Sequence, residues 1–177
     1  YNGMIAPLAN MNIKGVLWYQ GEANTGRPND YYDLMKTLIA NWRADFGDTQ
    51  LPFLIVQLVN FMEPDSYPGD GAWPQLRDVQ LRLSQTVPYT GLAVGIDAGE
   101  WNDIHPLDKK TIAERLALPA RRVAYGADTV SESPVAESVI VENGPTGLSS
   151  RQATNDHDPP AHSPGVATSG ATARRRC

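Results

Sequence analysis

Cysteine is almost missing from this chain: Cys177 is the only one. One thiol excludes an internal disulfide and a thiolate metal cluster, and leaves the compartment open. Long apolar runs are also absent. No aliphatic or aromatic run exceeds four residues, as in Phe53-Leu54-Ile55-Val56, against the roughly 20 apolar residues a membrane helix needs. No Gly-rich phosphate loop follows any expected strand, which argues against a nucleotide-binding domain. Positive charge is in deficit. The formal charge is −5 overall, and the four Arg and two Asp of residues 144–177 put +2 in that stretch, so residues 1–143 stand at −7. An acidic body disfavours nucleic acid as a partner. Tyr1 is not an initiator methionine, and Asn2-Gly3-Met4-Ile5 has neither the basic start nor the apolar run of a signal peptide, so the natural start is expected upstream.

What is present is enough for one domain. The 177 residues with 41% hydrophobic content can bury a real core. Lys14 to Tyr19 reads as a short buried strand running into a loop at Gln20-Gly21-Glu22-Ala23-Asn24-Thr25-Gly26. A helix follows, capped by Asn29 or Asp30, with Tyr31, Leu34, Met35, Leu38, Ile39 and Trp42 at helical spacing and Gly47 as its stop. Leu51 to Val59 is nearly continuous apolar sequence, the pattern of a parallel strand covered on both faces.

After a long Pro- and Gly-bearing loop, Leu76, Val79, Leu81 and Leu83 predict a second helix ending at Val87-Pro88. Thr90 to Asp97 is a third strand, and Lys109 to Leu118 a third helix with Ile112, Leu116 and Val123 inward. Pro119 predicts a kink or a restart there. Strand, loop and helix repeated three times predict a doubly wound α/β domain with a mostly parallel sheet. The loops starting at Gln20, Asn60 and Ala98 then share the carboxyl edge of that sheet, where such folds bind ligands.

Residues 1–143 form the expected domain. Beyond Gly144 only Leu148 and Val166 are large aliphatics and there are no aromatics, so residues 144–177 are expected to be a disordered or artefactual tail.

Two loops hold residues suited to chemistry. Asp103-Ile104-His105-Pro106 places a carboxylate two residues before an imidazole, a pairing that can fix the tautomer of a general base; the plain alternative is an exposed loop histidine. Gln20 and Gly21 put a side-chain amide and a backbone N–H together after a strand, and such donors suit an oxyanion; alternatively Gln20 and Glu22 only satisfy loop backbone groups. As a metal site, His105 with Asp103 and Glu22 lacks a second nearby histidine. His157 and His162 fall in the tail. Trp73, Arg77 and Tyr67 border the expected cleft and suit a hydroxylated or carboxylated ring, with packing of Trp73 and a surface place for Arg77 as the alternative.

Four ordered blocks carry a family resemblance: Tyr1 to Leu8, Lys14 to Asn24, Pro52 to Phe61, and Asp103 to Pro106. Together they resemble bacterial sialate O-acetylesterases of the SGNH hydrolase superfamily, over residues 1 to about 140. The resemblance implies a three-layer α/β/α fold, incomplete here, and removal of acetyl groups from the hydroxyls of sialic acid or another acetylated glycan by a serine acyl-enzyme route, without metal or organic cofactor. It implies His105 as base and then acid, Asp103 as orienting carboxylate, and Gln20 and Gly21 as oxyanion donors. Such enzymes commonly place the Asp three residues before the His, where this chain has Asn102, and Glu100 is the alternative acid.

The nucleophile of the family lies in a Gly-x-Ser block before the stretch that resembles Tyr1 onward. Ser66, Ser84, Ser149 and Ser150 sit at the wrong points in the order. The 177 residues alone are therefore expected not to hydrolyse esters. The competing expectation is a non-catalytic glycan-binding α/β module. Export to the periplasm or beyond is implied only by the resemblance.

Overall fold

A computed structural model describes residues 1–67, 69–140 and 147–151. Three strands, β1 (Val16–Trp18), β2 (Phe53–Val56) and β3 (Thr90–Ala93), form one parallel sheet in the order β1-β2-β3. The register pairs Val16 with Phe53 and Trp18 with Ile55, then Phe53 with Thr90 and Val56 with Ala93. Helices α1 (Pro28–Asp45) and α2 (Ala72–Thr86) pack on each other over one face, and α3 (Lys109–Pro119) covers β2 and β3 from the other. Both crossovers, through α1 and through α2, therefore lie on the same side, as two successive connections of one hand require.

The central strand explains its sequence. Phe53 and Ile55 point into the layer built with Tyr31, Met35, Ile39, Leu76 and Leu83, while Leu54 and Val56 point into the layer with Ile112 and Leu116. An apolar residue at every position is what burial on both faces demands. The expected buried strand at 14–19 is corrected. It is a three-residue edge strand, and Leu17 is 64% exposed, because α3 does not reach across to its outer face.

Helix α1 begins at Pro28 with Arg27 as N-cap and no capping side chain. Neither Asn29 nor Asp30 is the cap, since proline with its fixed φ and missing N–H starts the helix at Pro28, two residues before the start an Asn29 cap would give. Leu34 faces outward, and the inward stripe is Tyr31, Met35 and Ile39. Gly47 does end the helix: at φ 67° its N–H bonds Ala44 O and the N–H of Asp48 bonds Arg43 O, the Schellman arrangement. Pro119 ends α3, and Ala120–Ala124 continue as a wider π turn. Pro119 is buried against Gly91, where a Cβ would come within 2.6 Å of the Pro119 Cβ.

A separate antiparallel pair joins β4 (Val135–Ile140) to β5 (Gly147–Arg151). Five residues of the stretch expected to lack structure thus form a strand, for a backbone ladder needs no apolar side chains. The boundary at 143/144 and the rest of 144–177, His157 and His162 included, lie outside the described residues. Among the described residues no helix is long and apolar enough to cross a membrane.

Candidate active site

The loops that leave β1, β2 and β3 meet at the carboxyl edge of the sheet, and three contacts tie them together. Lys109 Nζ at the start of α3 lies 4.9 Å from the centre of the Tyr19 ring, which joins the segment after His105 to the loop holding Gln20. Gly99 N–H donates to Asn60 Oδ1 at 2.7 Å, and Met62 N–H donates to Trp101 O at 2.9 Å. Met62 does so at φ 71°, a strained conformation for a side chain of its size.

In the loop after β3, the imidazole of His105 is on the surface, 89% exposed, and its Nδ1 is 3.8 Å from Asp103 Oδ1. That separation is an ion-pair distance and too long for a hydrogen bond. The same carboxylate oxygen accepts the backbone N–H of His105 at 2.7 Å, so Asp103 holds the turn that presents the histidine. Glu100 Oε1 accepts the N–H of Leu107 at 3.4 Å. Both acids are thus engaged with the backbone around His105.

A bidentate ion pair anchors the root of this loop. Arg115 on α3 donates to both carboxylate oxygens of Asp97, one at 2.8 Å, and to Val94 O at 2.9 Å. Hydrogen bonding from Arg115 holds the Asp97 carboxyl down at about 2 and raises the guanidinium in return. No sequence pattern announces this pair, whose partners lie 18 residues apart on separate elements.

After β1, the Gln20 side chain donates to Asn24 Oδ1 at 2.7 Å, and the N–H of Gly21 donates to Glu22 Oε2 at 2.9 Å. Both expected oxyanion donors are satisfied within their own loop. The acceptor on Gly21 is a carboxylate oxygen, so an anionic oxygen does fit against that N–H. Gly21 is buried, and a Cβ there would stand 2.9 Å from Leu76 Cδ2 and 3.2 Å from both Gln80 Nε2 and Leu58 Cδ2. Glycine is required by this close approach.

The remaining candidates diverge. Trp73 is half-buried, donates its indole N–H to Val59 O at 2.7 Å and leans on Phe61 with ring centres 5.5 Å apart. It packs the start of α2 against the loop after β2. The Arg77 guanidinium is partly buried, which lowers its pKa; among the described residues it forms no ion pair or side-chain hydrogen bond. Tyr67 stands 84% exposed. Ser84 donates to Leu81 O within α2.

Known proteins resemble this chain in sequence and in fold. Residues 1–109 match the family described as carbohydrate esterase, sialic acid-specific acetylesterase. Sialate O-acetylesterase of Homo sapiens is 38% identical over 157 residues, covering 78% of this chain and 30% of the relative. Its counterpart in Rattus norvegicus is 41% identical over 143 residues, covering 71% and 26%. The chain thus spans under a third of the length of these curated relatives. A carbohydrate acetylesterase from Xanthomonas citri superposes with a TM-score of 0.78 at 41% identity, over 86% of this chain and 35% of that one.

Proposed function

Because this chain belongs to the sialic acid-specific acetylesterase family of carbohydrate esterases, we propose that it forms the His105-bearing part of an esterase that removes acetyl groups from sugar hydroxyls. The observation that carries this reading is the meeting of two loops at one sheet edge: Lys109, four residues past His105, lies over the ring of Tyr19, the residue before Gln20. A general base and a pair of anion-accepting donors then serve one reaction centre.

In this reading His105 takes the proton of a serine hydroxyl as that oxygen attacks the acetyl carbonyl, and returns it to the departing sugar oxygen. Asp103 orients and electrostatically supports the imidazole. Gly21 N–H and the Gln20 amide exchange Glu22 and Asn24 for the oxyanion of the tetrahedral intermediate. The acyl-enzyme is then opened by water with His105 again as base. Trp73 and Arg77 border the sugar, the unpaired guanidinium suiting a carboxylate such as that of acetylated sialic acid. No metal or organic cofactor enters these steps. An acetylated glycan outside the cell is the natural substrate class, and the periplasm or beyond is the corresponding location for the whole protein.

The serine comes from outside these 177 residues. The chain by itself is expected to leave an aryl acetate intact. Placed in the Xanthomonas citri enzyme in exchange for its matching segment, it is expected to support hydrolysis that His105→Ala abolishes. A folded chimera that keeps full activity without His105 would overturn the assignment. Ester cleavage by the chain alone, lost on His105→Ala, would show that it holds its own nucleophile.

A further inference from the structure

Gln80 is a polar residue in the middle of α2 with 0% exposure. A buried amide is tolerated only when its donors and acceptor are used. Here they are used at one place. Gln80 Oε1 accepts the N–H of Leu58 at 2.9 Å, and Nε2 donates to Gln20 O at 3.2 Å and to Val56 O at 3.4 Å. The N–H of Leu58 can face only an oxygen, which fixes the orientation of the amide.

The position of this amide follows from the parallel ladder. Val16 N–H bonds Pro52 O, and Val16 pairs with Phe53 while Trp18 pairs with Ile55. Continued by two residues, the same alternation would join Gln20 N–H to Val56 O and Gln20 O to Leu58 N–H. The strands have already separated there, and Gln80 stands between them, bonded to Val56 O, Leu58 N–H and Gln20 O. The amide takes the place of the next rung of the sheet, so that Val56 O, Leu58 N–H and Gln20 O stay hydrogen-bonded where β1 peels away.

Tyr31 completes the arrangement. Its hydroxyl donates to Gln20 O at 3.0 Å and accepts from Trp18 Nε1 at 3.3 Å. The carbonyl of Gln20 is thus held inward by two donors from two helices. That carbonyl belongs to the same peptide unit as the N–H of Gly21. A peptide unit is planar and trans, so its C=O and N–H point in opposite directions. Holding the oxygen against the core turns the Gly21 N–H outward, where Glu22 Oε2 now meets it.

We infer that Gln80, assisted by Tyr31, is a positioning residue that aims the Gly21 N–H at the reaction centre. This inference rests on the oxyanion role proposed for Gly21, while the geometry it describes can be read separately. The amide proton of Gly21 in the 177-residue chain reports the geometry. Glu22→Gln is expected to move this resonance upfield in the otherwise native chain. In Gln80→Met it is expected to lie upfield already and to respond little to Glu22→Gln, while amides of α1 and α3 keep their positions. Tyr31→Phe, which disturbs packing less, is expected to give the same change at reduced amplitude, and it decides the matter if Gln80→Met does not fold.

A Gly21 resonance that answers Glu22→Gln equally in native, Gln80→Met and Tyr31→Phe chains would overturn the inference. In the chimera, Gln80→Met is expected to lower kcat about 10²-fold, near the effect of losing an oxyanion donor, with KM changed less than about twofold. A changed Gly21 signal with unchanged kcat would refute the positioning role. Persistence of hydrolysis in His105→Ala would refute the catalytic reading of the site and leave the Gly21 result standing.

Discussion

Asp103 Oδ1 takes the backbone N–H of His105 at 2.7 Å while the imidazole Nδ1 of the same residue stands 3.8 Å away. The carboxylate therefore makes two separable contacts, a hydrogen bond that holds the turn and an electrostatic one with the imidazole. Asparagine can keep the first and lose the second. In the chimera, Asp103→Asn is expected to lower kcat about 10²-fold with little change in thermal midpoint. Asp103→Ala should add a loss of about 1 kcal/mol, the usual worth of one such hydrogen bond, read from urea unfolding. Full activity in Asp103→Asn would transfer the orienting role to Glu100.

Gly21 has no room for a side chain. Leu76 and Leu58, which a Cβ at this position would strike, are themselves buried and cannot retreat. Gly21→Ala is expected to destabilise the chain by about 1–3 kcal/mol, the ordinary range for overpacking. Denaturant unfolding measures it, and a loss under about 0.5 kcal/mol, well below that range, would show that the Gln20 loop stands away from α2.

Gly99 packs directly on the backbone of Asn60, closer than any Cβ permits. Gly99→Ala should push the His105 loop off the loop after β2 and release the Gly99 N–H from Asn60 Oδ1. Faster hydrogen exchange at Gly99 and at Met62, whose N–H bonds Trp101 O, is the expected readout. Unchanged exchange at both would contradict the docking of these loops.

Acid should weaken the root of the same loop. The Asp97 carboxyl is held down to about 2, chiefly by Arg115, against an ordinary value near 4. A depressed carboxyl stabilises the fold above its unfolded value, and that contribution fades as pH falls from about 4 through about 2. The pair is exposed, so its total worth is small. Comparison of native chain and Asp97→Asn is expected to show a stability gap at about pH 6 that narrows below about pH 4 and closes only below about pH 2. A gap independent of pH would assign the effect to packing.

Much of the layer structure is legible in the sequence. The nearly continuous apolar stretch from Leu51 to Val59 marks a strand covered on both faces, of which only Phe53–Val56 pair as β2, and Gly47 and Pro119 announce the ends of their helices through φ preference and the missing N–H. The order of elements alone brings the His105 loop and the Gln20 loop to one edge. Gln80 is harder to see, because apolar periodicity says nothing about polar positions. A glutamine between Val79 and Leu83 on the inward stripe of α2 is nonetheless a readable sign of a buried amide with partners.

Local chemistry set the order of strands and helices, since periodicity, caps and glycines act over a few residues. Partners distant in the chain were decided by packing. That Leu17 faces outward, that Asp97 finds Arg115, and that the Asp103 carboxylate serves a turn before it serves an imidazole all depend on where separate elements come to rest. The clearest case is the amide of Gln80, 60 residues from Gln20. It has a role only because two parallel strands diverge beside it and leave backbone groups that must be hydrogen-bonded when water is excluded.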